Sequence, residues 1–307
     1  MLKVLVAGGA GFIGSHLIKK LLDLGHFIYC LDNLSTGSLV NIKKYIDNPN
    51  FEFINHDIIN PIPHYQIDLI YNLACPASPI HYQMDPIKTM KTSVLGTYNI
   101  IDLALLENAK IIFSSTSEIY GDPLEHPQKE TYWGHVNPIG IRSCYDEGKR
   151  CSETILLDFH KFQKLNISIA RIFNTYGPNM MAEDGRVVSN FIISALNNKD
   201  IVINGDGRQT RSFCYVDDTV KALISLASLD DVGPFNIGNP NEITIKELSE
   251  IIIRLTNSKS EISFVPLPED DPLKRKPDIS KAKNKFGWKP SVNLEDGLKK
   301  TISFFNK

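Results

Sequence analysis

A doubly wound α/β fold is predicted by three observations. Apolar, β-branched runs recur between helical patterns, a glycine-rich turn follows the first run, and an aspartate closes the second. Strands alternating with helices build a parallel sheet covered on both faces, because each crossover helix carries the chain back to start another strand in the same direction. The expected strands are 3–7, 27–31, 51–54, 68–72, 110–115 and 167–172, with helices near 15–24, 86–107 and 145–164. Asp85-Pro86 opens the second of these helices as an N-cap followed by proline at the first helical position.

The first 33 residues carry the most chemistry. Lys3–Ala7 reads as a strand, Gly8-Gly9-Ala10-Gly11-Phe12-Ile13-Gly14 as a tight turn, Ser15–Leu24 as an amphipathic helix, and Phe27–Leu31 as a strand ending at Asp32. Glycines let the backbone approach a pyrophosphate, which then rests on a helix N-terminus with unpaired N–H groups. Either Gly8/Gly11/Gly14 or Gly9/Gly11/Gly14 supplies the triplet. A carboxylate closing the second strand accepts hydrogen bonds from a ribose diol. The charge of Asp32 repels a 2′-phosphate, and Asn33–Ser38 offers no Arg or Lys to receive one. NAD is therefore expected rather than NADP, on a Rossmann-type domain.

At 307 residues, with 42% hydrophobic and 22% charged residues, the chain suits a large domain with a smaller companion lobe. After Asn174 the rhythm changes to loops at 177–178, 183–185, 204–207 and 266–272, with clear helices only at 188–197 and 245–255. Runs 213–216 and 234–237 again read as strands. The expected division is an NAD-binding domain over 1–173, with 210–240 returning to it, and a substrate-binding lobe from 174–209 and 241–307. A formal net charge of −2 argues against a nucleic-acid-binding surface. The five cysteines lack CxxC spacing, so no metal site or disulfide framework is expected and a reducing compartment is. The start of the chain has no leader pattern and no apolar run approaches a bilayer's thickness, so a cytoplasmic protein away from membranes is expected.

Three clusters carry candidate catalysis. Ser114-Ser115-Thr116-Ser117-Glu118 follows an apolar strand, and carboxyl ends of such strands face the ligand crevice. A hydroxyl and a carboxylate can there share one site. Tyr145 and Lys149 lie four residues apart, on one face of a helix. A phenol is a poor base at neutral pH; a nearby ammonium and a positive nicotinamide ring favour the phenolate. Arg171, Asn174, Arg186, Arg211 and Arg275 form a polar and basic set in the second half, suited to phosphate or carboxylate oxygens. Lys274 and Lys276 read as solvated surface.

The sequence resembles the extended short-chain dehydrogenase/reductases and, within them, the UDP-glucuronate decarboxylases. The resemblance rests on GGAGFIGSHL (8–17), LACPASP (73–79), STSEIYGDP (115–123), HPQ (126–128), YWGHVNPIG (132–140), YDEGKR (145–150), RIFNTYGP (171–178), DGRVVSNFI (184–192), QTRSF (209–213) and DDPLKRKPDI (270–279). It implies that Tyr145 is the base at the sugar C4 hydroxyl, Lys149 its partner and a ribose ligand, and Thr116 the hydroxyl sharing the C4 oxygen. Glu118 would be the acid/base near C5, with Ser117 beside it, and Arg275 would meet the sugar carboxylate. Asn174, Arg186, Arg211 and Lys91 would hold the nucleotide-sugar. Gly8, Gly11, Phe12, Ile13, Asp32, Asn33, Thr36, Gly37, Asp57, Ile58, Leu73, Thr92, Ser114 and Thr175 would contact NAD. Three positions depart from the family: Cys75 for a usual Ser, Ser93 for a usual Asn, and Ser35 for an aromatic residue.

The implied reaction converts UDP-glucuronate to UDP-xylose through a 4-keto sugar, with NAD regenerated in each turnover. A β-keto acid loses CO₂ readily, and donors at the C4 oxygen stabilise the enolate. Open alternatives are a decarboxylase of an N-acetylated UDP-uronate, a 4-epimerase, a 4,6-dehydratase, and a non-catalytic NAD-binding protein. Ser117-Glu118 stands where a dehydratase typically has Asp-Glu. Relatives dimerise through two helices per subunit, which makes 86–107 and 145–164 the expected homodimer helices.

Overall fold

The computed structural model describes residues 1–268 and 270–306. Seven parallel strands form the main sheet: β1 (Lys3–Ala7), β2 (Phe27–Asp32), β3 (Phe51–Asn55), β4 (Leu69–Asn72), β5 (Lys110–Thr116), β6 (Ile167–Ile172) and β7 (Phe235–Ile237). Their order is β7-β6-β5-β4-β1-β2-β3. The winding direction reverses between β1 and β4, and a crevice opens at the carboxyl ends on either side of that switch.

Burial on both faces explains the apolar runs. Val4 and Val6 point to one face and Leu5 and Ala7 to the other, and all four are fully buried. On the first face they pack beneath α1 (Phe12–Asp23) through Leu17, Ile18 and Leu21. On the second, Leu5, Ile70, Ile111 and Ile169 meet Ile100, Ile101 and Ala104 of α2 (Pro86–Glu107) and Ile155 and Leu156 of α3 (Ser143–Gln163). The side chain of Asp85 caps α2 by accepting from Lys88 N–H at 2.9 Å.

The second half departs from expectation in two ways. Phe235–Ile237 pairs with β6 in the main sheet, but the 213–216 run does not. Cys214–Tyr215 instead pairs with Thr175–Tyr176 in a two-stranded ladder, then leads into a helix over Val216–Ala227. That helix, together with Ser280–Phe286 and Leu294–Phe305, was not expected beside the helices at Val187–Leu196 and Ile245–Thr256. The helix over Val216–Ala227 carries Asp217 and Asp218 in its first turn. Asp218 is fully buried, and its carboxylate accepts from Ser291 N–H and Val292 N–H at 2.8 Å each.

A small three-stranded sheet completes the roof of the crevice. Thr210–Ser212 lies between Glu242–Thr244, antiparallel, and Lys274–Arg275, parallel. The register sets Arg275 beside Arg211, so two guanidiniums from segments distant in sequence share one level.

Below the crevice runs a buried polar network. Arg171 forks onto Glu153 through Nε at 2.9 Å and Nη2 at 2.7 Å. Its Nη1 donates to Tyr120 Oη at 3.0 Å, and Tyr120 donates to Asn236 Oδ1 at 2.8 Å. Ser115 donates to the same Glu153 carboxylate at 2.5 Å. Arg171 is thus a structural residue, not the ligand-binding one that the basic set suggested, because an internal carboxylate already satisfies its fork. Removing one partner strands the other charge. Arg171→Met is expected to lower unfolding free energy by about 3–5 kcal/mol, read from urea denaturation. Loss below about 1 kcal/mol would show the pair to be dispensable.

Candidate active site

The crevice holds a cavity of about 790 Å³ lined by residues from both halves of the chain. Its floor begins at the glycine turn. Gly8 has φ +78°, and a Cβ there would stand 2.9 Å from Ala74 N. At Gly14 a Cβ would stand 2.2 Å from Gly8 O, so helix and strand approach only without side chains. Gly9 instead faces Cys30 and Ile18 in the core, which makes Gly8/Gly11/Gly14 the cradle. Gly11 begins α1 with no side-chain cap, and the first turn contains no acid. N–H groups at that helix end are left for an anion.

Asp32 ends β2 with its carboxylate fixed by Ala10 N–H at 3.0 Å and Leu34 N–H at 2.8 Å. Burial raises its pKa, while these two bonds oppose the shift. Gly37 passes under the same carboxylate, where a Cβ would meet Oδ1 at 2.7 Å. It supports Asp32 without lining the cavity. Asn33 donates to Asp57 at 2.8 Å, and Lys88 reaches Asp57 at 3.3 Å. Partial burial would raise the Asp57 pKa, but hydrogen bonds from Ile59, Asn33 and Lys88 hold it below the usual carboxylate value. Gly8, Gly11, Phe12, Ile13, Asp32, Asn33, Thr36, Asp57, Ile58, Leu73, Thr92, Ser114, Tyr145, Lys149 and Thr175 all line this cavity. The glycine cradle, uncapped helix and fixed acceptor fit a dinucleotide.

Thr116, Ser117, Glu118, Asn174, Arg186, Arg211 and Arg275 line the same space. Lys91 does not; it is exposed on α2. Successive helical residues diverge by about 100°, so Thr92 turns inward and Lys91 outward. Lys88 is the lysine of this helix that lines the cavity.

Tyr145 is buried and stacks on Tyr82, with ring centroids 5.0 Å apart and an interplanar angle of 3°. Burial raises its pKa, the Cys75 thiol adds to the rise, and a hydrogen bond from Thr116 opposes it. Lys149, also buried, donates to Ser114 O at 2.8 Å and sits over the Phe113 ring at 4.7 Å. Desolvation lowers its pKa. Burial of Tyr145 thus opposes the expected depression of the phenol, and the Lys149 ammonium donates to a carbonyl.

Glu118 is the centre of a charge cluster that the sequence did not reveal. Arg275 forks onto its carboxylate, with Nη2 to Oε2 at 3.0 Å and Nη1 to Oε1 closer still. Arg142 donates to Oε2 as well. Arg142 also reaches Asp271 at 3.5 Å, and Arg211 reaches Asp271 at 3.0 Å. Burial would raise the Glu118 pKa, but the two guanidiniums hold it well below the carboxylate range. Arg142 lay one helical turn before Tyr145, on the same face, which was the available signal. Asp271 lies in the DDPLKRKPDI run, but nothing local in that run points to its pairing with Arg142 and Arg211, which depends on a loop from the far end of the chain. Among the family departures, Cys75 and Ser93 touch each other, Sγ to Oγ at 3.4 Å.

Comparison with known proteins agrees with this geometry. Residues 5–301 match the family model described as GDP-mannose 4,6 dehydratase. The chain is 54% identical over 298 residues to UDP-glucuronic acid decarboxylase 3 of Arabidopsis thaliana, covering 97% of this chain and 87% of that one. It is 50% identical over 305 residues to UDP-glucuronic acid decarboxylase 1 of Danio rerio, covering 99% and 73%. Among solved structures, UDP-glucose 4-epimerase of Thermotoga maritima with UDP-glucose superimposes with a TM-score of 0.92 at 32% identity, covering 99% and 98%. UDP-glucuronic acid 4-epimerase of Bacillus cereus, in complex with NAD and a fluorinated UDP-glucuronic acid, gives 0.90 at 27%, covering 99% and 98%. The chain belongs to the extended short-chain dehydrogenase/reductases of the GDP-mannose 4,6-dehydratase family, alongside the UDP-glucuronic acid decarboxylases.

Proposed function

We infer that this protein decarboxylates UDP-glucuronate to UDP-xylose. The observation that carries the reading is the meeting of Thr116, Glu118, Tyr145, Lys149 and Arg275 around one cavity beside the dinucleotide cradle. The glycine turn, Asp32 and Lys149 would hold NAD, which would supply the oxidation of C4 and its reversal with none consumed. Tyr145, as the phenolate that Lys149 and a positive nicotinamide ring would favour against burial, receives the C4 hydroxyl proton, with Thr116 hydrogen-bonding the same oxygen. That oxygen becomes a ketone β to the C6 carboxylate. CO₂ then leaves, its bonding electrons settle as the C4 enolate, and Thr116 and Tyr145 stabilise the developing charge.

Arg275 lines the cavity and its buried Nε has no hydrogen-bond partner, so its guanidinium is assigned to the sugar carboxylate. Its bond serves alignment and substrate selection, since pairing the ground state alone would slow CO₂ loss. Glu118 is ionised between two arginines, which suits orienting the water that protonates C5 rather than donating its own proton. Asn174, Arg186 and Arg211 are assigned to the nucleotide-sugar. A 4-epimerase needs neither Glu118 nor Arg275.

The exposed apolar residues of α2 and α3 support a homodimer. Ile87, Leu95, Tyr98 and Leu106 on α2, with Leu157 and Phe162 on α3, are exposed by 37% to 72%. Two copies of this face bury each other as a four-helix bundle. Five free thiols support a cytoplasmic setting; no helix among the described residues is long and apolar enough to cross a membrane.

With UDP-glucuronate and NAD, CO₂ release without net NADH is expected, with UDP-xylose as product; a product retaining its carboxylate overturns the reading. Tyr145→Phe is expected to lower kcat by about 10²–10⁴-fold. Arg142→Gln removes a cation from Glu118 and raises its pKa, so the acid limb of the kcat profile should move to higher pH. An unmoved limb would remove Glu118 from the essential ionisations. Light scattering should give twice the 34.5 kDa chain mass, and Leu106→Glu should yield monomers.

A further inference from the structure

Asp146 is a buried carboxyl group that the reaction as described does not use. It follows Tyr145 on α3, is 6% exposed, and does not line the cavity. Its Oδ1 is buried without a hydrogen-bond partner. Its backbone N–H donates to the carbonyl of Arg142, the residue that caps this helix, at 3.1 Å, and the other charged and titratable groups acting on it are Cys144, Tyr145 and Glu147 on the helix, Glu118 on the strand-end turn, Arg275 from the small sheet, and Tyr82 from the helix over Pro79–Met84. An unpaired carboxylate buried next to another carboxylate binds a proton in preference to staying charged. Glu118 has both guanidiniums on its oxygens, which leaves Asp146 as the carboxyl group of the two that favours the proton.

The consequence is electrostatic. Three guanidiniums, Arg142, Arg211 and Arg275, are bridged by two carboxylates, Glu118 and Asp271. With Asp146 neutral, this cluster has one positive charge in excess. Ionised, Asp146 would cancel that excess from behind the cavity wall. We propose that Asp146 is a positioning residue that acts as a proton-gated counter-charge: its neutral form leaves the arginine cluster one positive charge, which receives the sugar carboxylate.

The inference rests on the reading of Arg275 as the carboxylate's partner. It predicts a preference for substrate over product, because UDP-xylose lacks the charge that the excess attracts. Burial and the Glu118 carboxylate push the Asp146 pKa up to about 8, with Arg142 and Arg275 opposing. The sign follows. Below that value the cluster is charged for the uronate; above it, Asp146 loses its proton and the attraction is offset.

The test uses NAD-loaded protein in a Tyr145→Phe background, which blocks turnover, and measures UDP-glucuronate and UDP-xylose affinities by calorimetry. The preference for the uronate should fall about tenfold as pH rises from about 6.5 to about 9.5, the effect of a one-unit pKa change on binding. Asp146→Asn should hold the preference constant at its low-pH value. A flat profile with Asp146 present, or an undiminished fall in the Asn variant, overturns the proposal. Arg275→Ala separates the underlying reading: if it keeps the uronate preference at low pH, the carboxylate lies elsewhere. Should Asp146→Asn fail to fold, proton uptake decides. Binding of UDP-glucuronate near pH 8 should take up a fraction of a proton, seen with two buffers of different ionisation enthalpy, and zero uptake overturns the proposal.

Discussion

The site depends on the buried pair between Glu153 and Arg171. Glu153 comes from α3, the helix of Tyr145 and Lys149, while Arg171 comes from β6 beside the strand that ends in Thr116. Ser115 is tied to the same carboxylate. The pair therefore fixes helix to strand end at the place where base, hydroxyl and acid must meet. Through Tyr120 and Asn236 it extends to β7, and Asn236 Nδ2 reaches Gln128 O at 3.0 Å and Asp278 O at 3.1 Å. The segment bearing Arg275 is thereby anchored to the main sheet.

Above that anchor the site divides by charge. The dinucleotide end is built from backbone: glycines that admit close approach, an uncapped helix start, and an aspartate locked by two N–H groups. The sugar end is built from ion pairs between segments far apart in sequence. Backbone cradles are rigid and serve a cofactor that stays. Ion pairs can exchange partners, which suits a carboxylate that arrives and departs as CO₂.

Much of this was legible in the chain. Strand ends, the glycine turn, Asp32 and the Tyr145/Lys149 spacing are local patterns, and local patterns follow from backbone sterics and helix geometry. Errors arose where a local pattern was ambiguous. Residues 213–216 have strand character but pair with Thr175–Tyr176, because the main sheet is already filled at β6 by β7. Lys91 matched a position by resemblance, yet the helix turns it to solvent. Arg171 belonged to the basic set by residue type, but its guanidinium is taken by an internal carboxylate.

By itself the sequence determined the fold class and the dinucleotide preference, which depend on residue type and short spacing, and through its resemblance to a family it named the candidate reacting groups. Tertiary structure alone decided their charge states. Glu118 is ionised because Arg142 and Arg275 arrive from 24 and 157 residues away, whereas Asp146 Oδ1 is buried with no hydrogen bond from either. Ionisation in a buried site is governed by distance through space and by desolvation. Neither quantity is written in the order of residues along a chain.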